Sequence, residues 1–395
     1  MHILNVNSSL GFKIGGGGAE RTVQMSRFLS NHNGNKCTIL TLDIDLDLDR
    51  IQDCAPAVVL SIPCLWKRFY VPTVSASCWK LIRNIVNEAD IIHLMSHWSM
   101  LNFLVYIAAR RARKPYVVCP AGSLPLFGRS GWLKRIYNFI AGNAIIRNSS
   151  AWIAVTLREV SSFESYGIPA AKVTVIPNGV SKANFYEANK YMFLKRHNLP
   201  DVPTILFMGR LNHIKGPDLL LQAFIQAKRD LLSCDLVFAG PDEGMLAELR
   251  RMAEKAGISH HVHFLGHLRG DDKSAAYRHA KLLVVPSRHE AMSIVAIEAG
   301  ICGTPAMVTD QCGFSEIGQV DVGLEVPATS SGIAKGIVRL LTEPDLLDKV
   351  GLDFEAFVSS HYAWDSIVMH YTKLYQMILN PIAINKRTVF ASQAV

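Results

Sequence analysis

The chain has 395 residues, 49% apolar and 19% charged, a composition that excludes a disordered protein and suggests two or three domains at ~150 residues each. Lys and Arg number 41 against 33 Asp and Glu, and the net charge of +8 suits acidic small molecules or a membrane surface as well as it suits nucleic acid. No run approaches the ~18 apolar residues of a membrane-spanning helix, and MHILNVNSSL lacks the features of a secretion signal, so neither an integral membrane protein nor an exported one is expected.

In chain order, HILNV reads as a strand, SSLGFKIGGGG as a glycine-rich turn, and AERTVQMSRFLSNH as an amphipathic helix with Val23, Met25, Phe28 and Leu29 near helical spacing. Asn33-Gly34 ends that helix and CTILTLD begins a second strand. The aspartates of DIDLDLD imitate a calcium loop, but Leu48 stands where such a loop needs Gly and Cys54 where it needs Glu. ADIIHLM, KPYVVCP, AWIAVT and VTVIPNG continue the alternation of strands with helical segments. Residues 181–203 are polar and less periodic, and read as a linker. Beyond them TILFMGR, LNHIKGP and DLLLQAFIQAKRD repeat the opening pattern, followed by CDLVFAG, HVHFLG, AKLLVVPS and TPAMVTD.

HYAWDSIVMHYTKLYQMIL reads as a long amphipathic helix, and residues after Pro381 as a frayed end. Strands alternating with helices imply parallel sheets covered on both faces. The expected fold is therefore α/β, with two doubly wound, Rossmann-like domains (1–180 and 204–365) facing each other across a cleft. The helix at 366–381 would pack back toward the first, and ligands would sit at the carboxyl ends of the strands.

The eight cysteines form no C-x-x-C pair and read as buried, reduced thiols of a cytosolic protein. His260, His261, His263 and His267 flank a short apolar run. Alternation puts His261 and His263 on one face, but no Cys or carboxylate joins them at ligand spacing, and no metal site is expected.

Three constellations carry chemistry. Glycines 15–18, between a strand and a helix, let backbone N–H groups approach a ligand, and equally serve a plain tight turn; neither the dinucleotide fingerprint nor a P-loop fits around Glu20 and Arg21. Gly209-Arg210-Leu211 and Lys215-Gly216 follow a strand, where Arg210 as a fork and Lys215 as a point charge would neutralise a diphosphate; the alternative is two exposed cations beside a turn. Third, Glu290 sits in a loop after AKLLVVP, and a helix follows from about Ser293 to Gly300. Its start at Ser293 and Ile294 offers N–H groups and a positive dipole end to an anion, and Glu298 in its second turn offers a carboxylate to a pair of ribose hydroxyls.

Together GGGGAERTV, ADIIHLMSHWSMLN, VTVIPNGV, ILFMGRLNHIKGPDLLLQAF, LVFAGPDEG and VHFLGHLRGDDKSAAYRHAKLLVVPSRHEAMSIVAIEAGICGTP, in this order, resemble the family 4 glycosyltransferases of the GT-B fold over nearly the whole chain. The resemblance implies a hexosyltransferase that moves a sugar from a nucleotide-diphosphate sugar, a UDP- or GDP-sugar, with retention at the anomeric carbon and with neither metal nor cofactor. Arg210 and Lys215 match the pair on the donor diphosphate, Glu298 the carboxylate on the ribose, and Glu290 the one beside the donor sugar. Gly17 and Gly18 match the N-terminal loop near the phosphates, and 266–268, with Leu268, the region at the base. Gly209, Ser293 and Ile294 complete the donor-binding set. In the scheme proposed for such enzymes a donor phosphate oxygen takes the acceptor proton and no enzymic nucleophile is needed, unlike the two-carboxylate scheme of glycoside hydrolases.

Two departures stand out. Ala291-Met292-Ser293 replaces the aromatic-glycine pair usual after the first glutamate, with Ser293 expected to cap the helix through its hydroxyl. Met95 stands where the family often has a histidine, leaving His93 and His97 as acceptor-side candidates.

Segment 124–146 combines Phe127, Trp132, Ile136 and Ile140 with Arg129, Lys134 and Arg135, which reads either as a helix packed on the sheet or as a surface for an anionic bilayer and a lipid-linked acceptor. The expected role is extension of a lipid-linked glycan in bacterial surface polysaccharide synthesis, in the cytoplasm and peripheral to the inner face of the membrane. A nucleotide-sugar epimerase and a silent, nucleotide-sugar-binding relative are the alternatives. Nucleic acid is not an expected partner, because the charge is diffuse and no recognised module is present.

Overall fold

The alternation of apolar strands and amphipathic helices folds into two parallel sheets in a computed structural model that describes residues 1–12, 15–126, 131–228 and 234–380. The frayed end expected after Pro381, like Phe127 and Arg129, lies outside the described residues. Contacts divide the chain into two units, one of Met1–Asn178 with the segment that begins at Trp364, the other of Gly179–Ala363.

The first unit is built on strands β1 (His2–Val6), β2 (Lys36–Leu42), β3 (Val58–Ile62), β6 (Ile91–Met95), β7 (Tyr116–Cys119), β8 (Ala151–Ala154) and β9 (Val173–Val175), with a small antiparallel pair, β4 (Cys64–Trp66) and β5 (Val71–Pro72), after β3. The large sheet has the order β3-β2-β1-β6-β7-β8-β9 and every neighbouring pair is parallel. Parallel strands need crossover helices, which cover both faces and bury the strands' apolar runs. Accordingly Ile3, Leu4, Val6, Ile92 and Leu94 are all fully buried.

The first helix spans Gly16–Asn31, so it begins among the glycines rather than at Ala19. The helix Trp364–Leu379 packs against it: Phe28 and Trp364 stack at 5.9 Å, and the buried Arg21 donates to Tyr371, to the carbonyl of Ile176 at 2.8 Å and to Asn178 at 2.5 Å.

The second unit carries β10 (Thr204–Met208), β11 (Asp235–Ala239), β12 (Val262–Gly266), β13 (Leu282–Val285), β14 (Ala306–Thr309) and β15 (Leu324–Val326), ordered β12-β11-β10-β13-β14-β15 and parallel throughout. That is the doubly wound order in which the chain runs one way from the central strand, then returns and runs the other. Residues 181–203 belong to this unit and are not a free linker. They form a helix at Lys190–His197 and bury Phe185, Phe193 and Leu199, while Arg278 holds the carbonyls of Phe185 and Tyr186. The sequence looked polar there because only one side of the segment meets the core.

Candidate functional site

β10 and β13 are neighbours in the sheet although they are separated in sequence, and the chain leaves their carboxyl ends toward opposite sides. A crevice forms where strand order reverses in this way. The loops that open from it, 209–216 and 286–293, carry Arg210, Lys215 and Glu290.

Close backbone approach sets their geometry. Gly216 has φ +68° and immediately precedes the helix Pro217–Ala227; a Cβ there would lie 2.1 Å from the Pro286 carbonyl oxygen. Only glycine accepts both the left-handed backbone and the contact. The Arg288 N–H donates to the carbonyl of Ile214 at 2.8 Å, and its guanidinium forks onto Asp218 at 2.8 and 2.6 Å while reaching the His213 carbonyl at 2.8 Å. Burial alone would raise the Asp218 carboxyl, but the hydrogen bonds and charge of Arg288 outweigh it and hold the group below its ordinary value. The two loops are thus clamped together by an arginine whose role the sequence did not signal.

On this frame the Lys215 ammonium donates to Glu290 Oε1 at 2.5 Å, and Ser287 donates to Glu290 Oε2 at 2.9 Å. Arg210 donates to Glu243 Oε1 at 2.9 Å, and Asn212 to the other oxygen at 2.7 Å. Gly209 ends β10 with its N–H on the Ala239 carbonyl at 2.9 Å. Two cations therefore sit at one strand end, each already opposite a carboxylate. This is an arrangement for receiving a doubly charged anion by exchange of partners.

The helix after Glu290 spans Ile294–Ile301, with Ser293 in the capping position. The expected hydroxyl cap is not formed, although Ser293 is fully buried. Its backbone is extended but its side chain does not turn back onto the helix. Glu298 is 5% exposed. One oxygen accepts from Lys273 at 2.6 Å and the other from Tyr277 at 2.7 Å. Burial, reinforced by the Glu298 charge, pushes the Tyr277 phenol well above its usual range, so it remains a donor. Lys273 and Tyr277, on the helix Gly270–His279, are members of the site that sequence reasoning missed. Leu268 is buried just after β12, whose Gly266 carbonyl accepts from Gly240 at 2.6 Å.

The remaining candidates lie in the first unit. Gly17 and Gly18 fall in the first turn of the Gly16–Asn31 helix, and the Gly18 carbonyl accepts from Asn7 at 3.1 Å and Thr22 at 2.8 Å. Both acceptor-side candidates, His93 and His97, are buried and packed by neighbouring side chains. His93 is fully buried on β6 with Nδ1 2.6 Å from the Tyr375 hydroxyl, and burial, then the charge of Arg21, pushes it down to about 3. His97 is 1% exposed among Trp98, Tyr137 and Tyr166, with Nε2 2.8 Å from Asn138 Oδ1, and burial pushes it down to about 4. Both rings are neutral at pH 7 and packed as core groups.

His261 and His263 do share a face, and a carboxylate joins them from the next strand: Asp235 reaches each at 2.7 Å. Among the described residues no group of three His, Cys, Asp or Glu is arranged to hold a metal ion. All eight cysteines are free.

The basic segment forms a helix at Gly131–Tyr137, a π-helical turn at Asn138–Gly142 and a second helix at Asn143–Arg147. Along this segment Trp132, Ile136, Phe139 and Ile140 are exposed while Ala141, Ile145 and Ile146 are buried. Phe139 is 89% exposed. No described helix is long and apolar enough to cross a membrane.

Comparison with known proteins bears on family and fold. Residues 15–184 match the family model described as Glycosyltransferase Family 4, and residues 193–351 the one described as Glycosyl transferases group 1. The chain is 31% identical over 221 residues to an uncharacterized glycosyltransferase of Methanocaldococcus jannaschii, covering 54% of this chain and 56% of that protein. It is 29% identical over 218 residues to the GDP-mannose-dependent alpha-(1-6)-phosphatidylinositol monomannoside mannosyltransferase of Mycobacterium tuberculosis, covering 52% of this chain and 56% of that one. The matches thus span little more than half the length of these relatives. The crystal structure of Anabaena HepE in complex with UDP and glucose superposes with a TM-score of 0.76 at 17% identity, over 94% of this chain and 98% of that one. With two family models covering successive halves and one fold shared along almost its full length, the protein belongs to the family 4 glycosyltransferases of the GT-B fold.

Proposed function

We propose that the protein transfers a hexose from a UDP- or GDP-sugar to an acceptor hydroxyl with retention at the anomeric carbon and without a metal ion. The observation that carries this reading is the pair Arg210 and Lys215 at the β10 end, facing Glu290 at the β13 end of the same sheet. The donor diphosphate takes over Arg210 and Lys215 from their carboxylates, with the helix start at Ser293 and Ile294 adding its dipole. Glu298 accepts from the ribose hydroxyls. The bond between the anomeric carbon and the diphosphate breaks as the acceptor oxygen bonds to that carbon on the same face. The acceptor proton passes to an oxygen of the departing diphosphate.

The acceptor in this reading is a lipid-linked glycan of bacterial surface polysaccharide synthesis. It is supported by the exposed apolar face beside Lys134 and Arg135, and by a relative named for a phosphatidylinositol mannoside substrate. The test is thermal unfolding in EDTA with UDP, GDP, ADP and their sugars, followed by transfer assays on the class that binds. A ligand at 100 times its dissociation constant stabilises by ~2.7 kcal/mol. Stabilisation by one nucleotide class, lost in Arg210→Ala, with transfer of its sugar supports the reading. Binding without turnover identifies a silent donor-binding relative instead, and no binding at all rejects the donor site.

A further inference from the structure

The surface of the first unit shows a second exposed apolar element. In the β4–β5 pair Leu65 is 74% and Trp66 58% exposed. The turn Lys67–Phe69 joins the strands, with Phe69 edge-on to Trp66 at 4.7 Å and the Arg68 guanidinium 5.6 Å over Phe69. The base of this hairpin is fixed: Cys64 donates to Asp43 at 2.8 Å, Thr73 to the Pro63 carbonyl at 2.8 Å, and Cys64 and Tyr70 pack on the core. The hairpin presents an exposed Leu, Trp and Phe beside two cations, apolar surface whose burial would be stabilising.

The charge around it says what it meets. Residues 54–87 hold Lys67, Arg68, Lys80 and Arg83 and no Asp or Glu, and the one acid at the hairpin's base, Asp43, accepts from the Cys64 N–H. The hairpin follows the carboxyl end of β3, and the Gly131–Tyr137 helix follows that of β7, so in a parallel sheet both open from one edge. Basic residues with Trp and Phe suit the headgroup level of an anionic bilayer, where rings insert and cations meet lipid phosphate.

We propose that the Leu65–Trp66–Phe69 tip is a second insertion point on an anionic membrane, and that with the Trp132–Phe139 face it holds the first unit by two separate contacts. The purpose of such docking rests on the lipid-linked acceptor reading; its existence does not, and is read without any transfer assay.

The test is sedimentation with phosphatidylcholine vesicles and with equimolar phosphatidylcholine–phosphatidylglycerol vesicles, beside thermal unfolding with nucleotides. Wild type binds only the anionic vesicles. Trp66→Ser with Phe69→Ser weakens binding roughly tenfold through lost insertion. Lys67→Ala with Arg68→Ala weakens it ~25-fold, about fivefold per charge. Trp132→Ser with Phe139→Ser adds an independent loss, and the unfolding temperature and its response to nucleotide stay as in wild type. The proposal is overturned if the Trp66 and Phe69 variant binds as tightly as wild type, or if binding ignores phosphatidylglycerol. It is equally overturned if the variant only turns a soluble dimer into a monomer, or if an oligonucleotide displaces the vesicles and protects Trp66. Failure to find a donor would remove the proposed transfer and leave the vesicle result standing.

Discussion

Two glycines with nearly the same backbone separate conformational strain from steric contact in the second unit. Gly216 has φ +68° and Gly257 has φ +69°. Alanine at either pays the left-handed penalty of ~1–2 kcal/mol, and the lowered entropy of the unfolded chain is common to both. At Gly257 the new methyl meets nothing within 4 Å. At Gly216 it lands 2.1 Å from the Pro286 carbonyl oxygen, where ordinary contact begins at 3.4 Å, so one loop must retreat by the difference. Overpacking of that kind adds ~1–3 kcal/mol. The retreat is also large enough to part Lys215 from Glu290, now 2.5 Å apart. Gly216→Ala should therefore unfold below Gly257→Ala by about 4–8 °C for an extra ~2 kcal/mol in a unit of this size. The stabilisation gained from the bound nucleotide should survive in Gly257→Ala and shrink in Gly216→Ala. Differential scanning fluorimetry with and without UDP and GDP reads both quantities. Equal melting temperatures with equal nucleotide responses would refute the claim that this contact sets the site.

Glu298→Gln keeps the side chain's shape while removing the charge opposite Lys273, and should weaken nucleotide binding by ~10–100-fold, the loss of hydrogen bonds to a charged group; unchanged affinity by calorimetry would make Glu298 a purely structural residue. Arg288→Met and Asp218→Asn should show a coupling of ~1.5–3 kcal/mol in a double-mutant cycle, given a fork only partly exposed to solvent; coupling near zero in urea titrations would mean the loops are held by backbone alone. Burial lowers His93 to about 3 and His97 to about 4, against 6.5 in the unfolded chain. The unfolded chain therefore takes up protons first as pH falls, and the stability tied to each ring is complete above pH 6.5 and lost progressively toward those lower values. His97→Gln should flatten the melting-temperature profile between pH 6 and 4, each histidine contributing ~1.4 kcal/mol per pH unit, and a profile parallel to wild type would contradict the burial argument.

Local pattern made the architecture legible. Short apolar runs alternating with helical periodicity are what a parallel sheet covered on both faces requires, and both sheets are of that kind. Arg210, Lys215 and Glu290 could be picked out as candidates, since each stands in a loop that follows a strand and topology brings strand ends together. What the sequence hid depends on contacts between distant segments. His93 looked available because nothing nearby covers it; Tyr375, which bonds it, is 282 residues away. Asp235, which joins His261 and His263, comes from a different strand. Lys273 and Tyr277 lie on a helix whose own pattern reports only which face is buried, so their meeting with Glu298 had no local signal. Segment 124–146 allowed two readings, and its π turn is invisible in any periodicity of 3.6.

The carboxylates beside Arg210, Lys215 and Lys273 have a consequence for discrimination. A chloride ion or free phosphate finds each of these cations already neutralised, and must displace a tethered carboxylate to gain one contact. The nucleotide-diphosphate donor proposed above would offer its charges and its ribose hydroxyls at once, so that a single docking event would replace several internal partners together. The resting molecule thereby carries a built-in competitor for its own ligand. Small anions would be turned away by the protein's own glutamates, and only a molecule of the right length would unlatch them all.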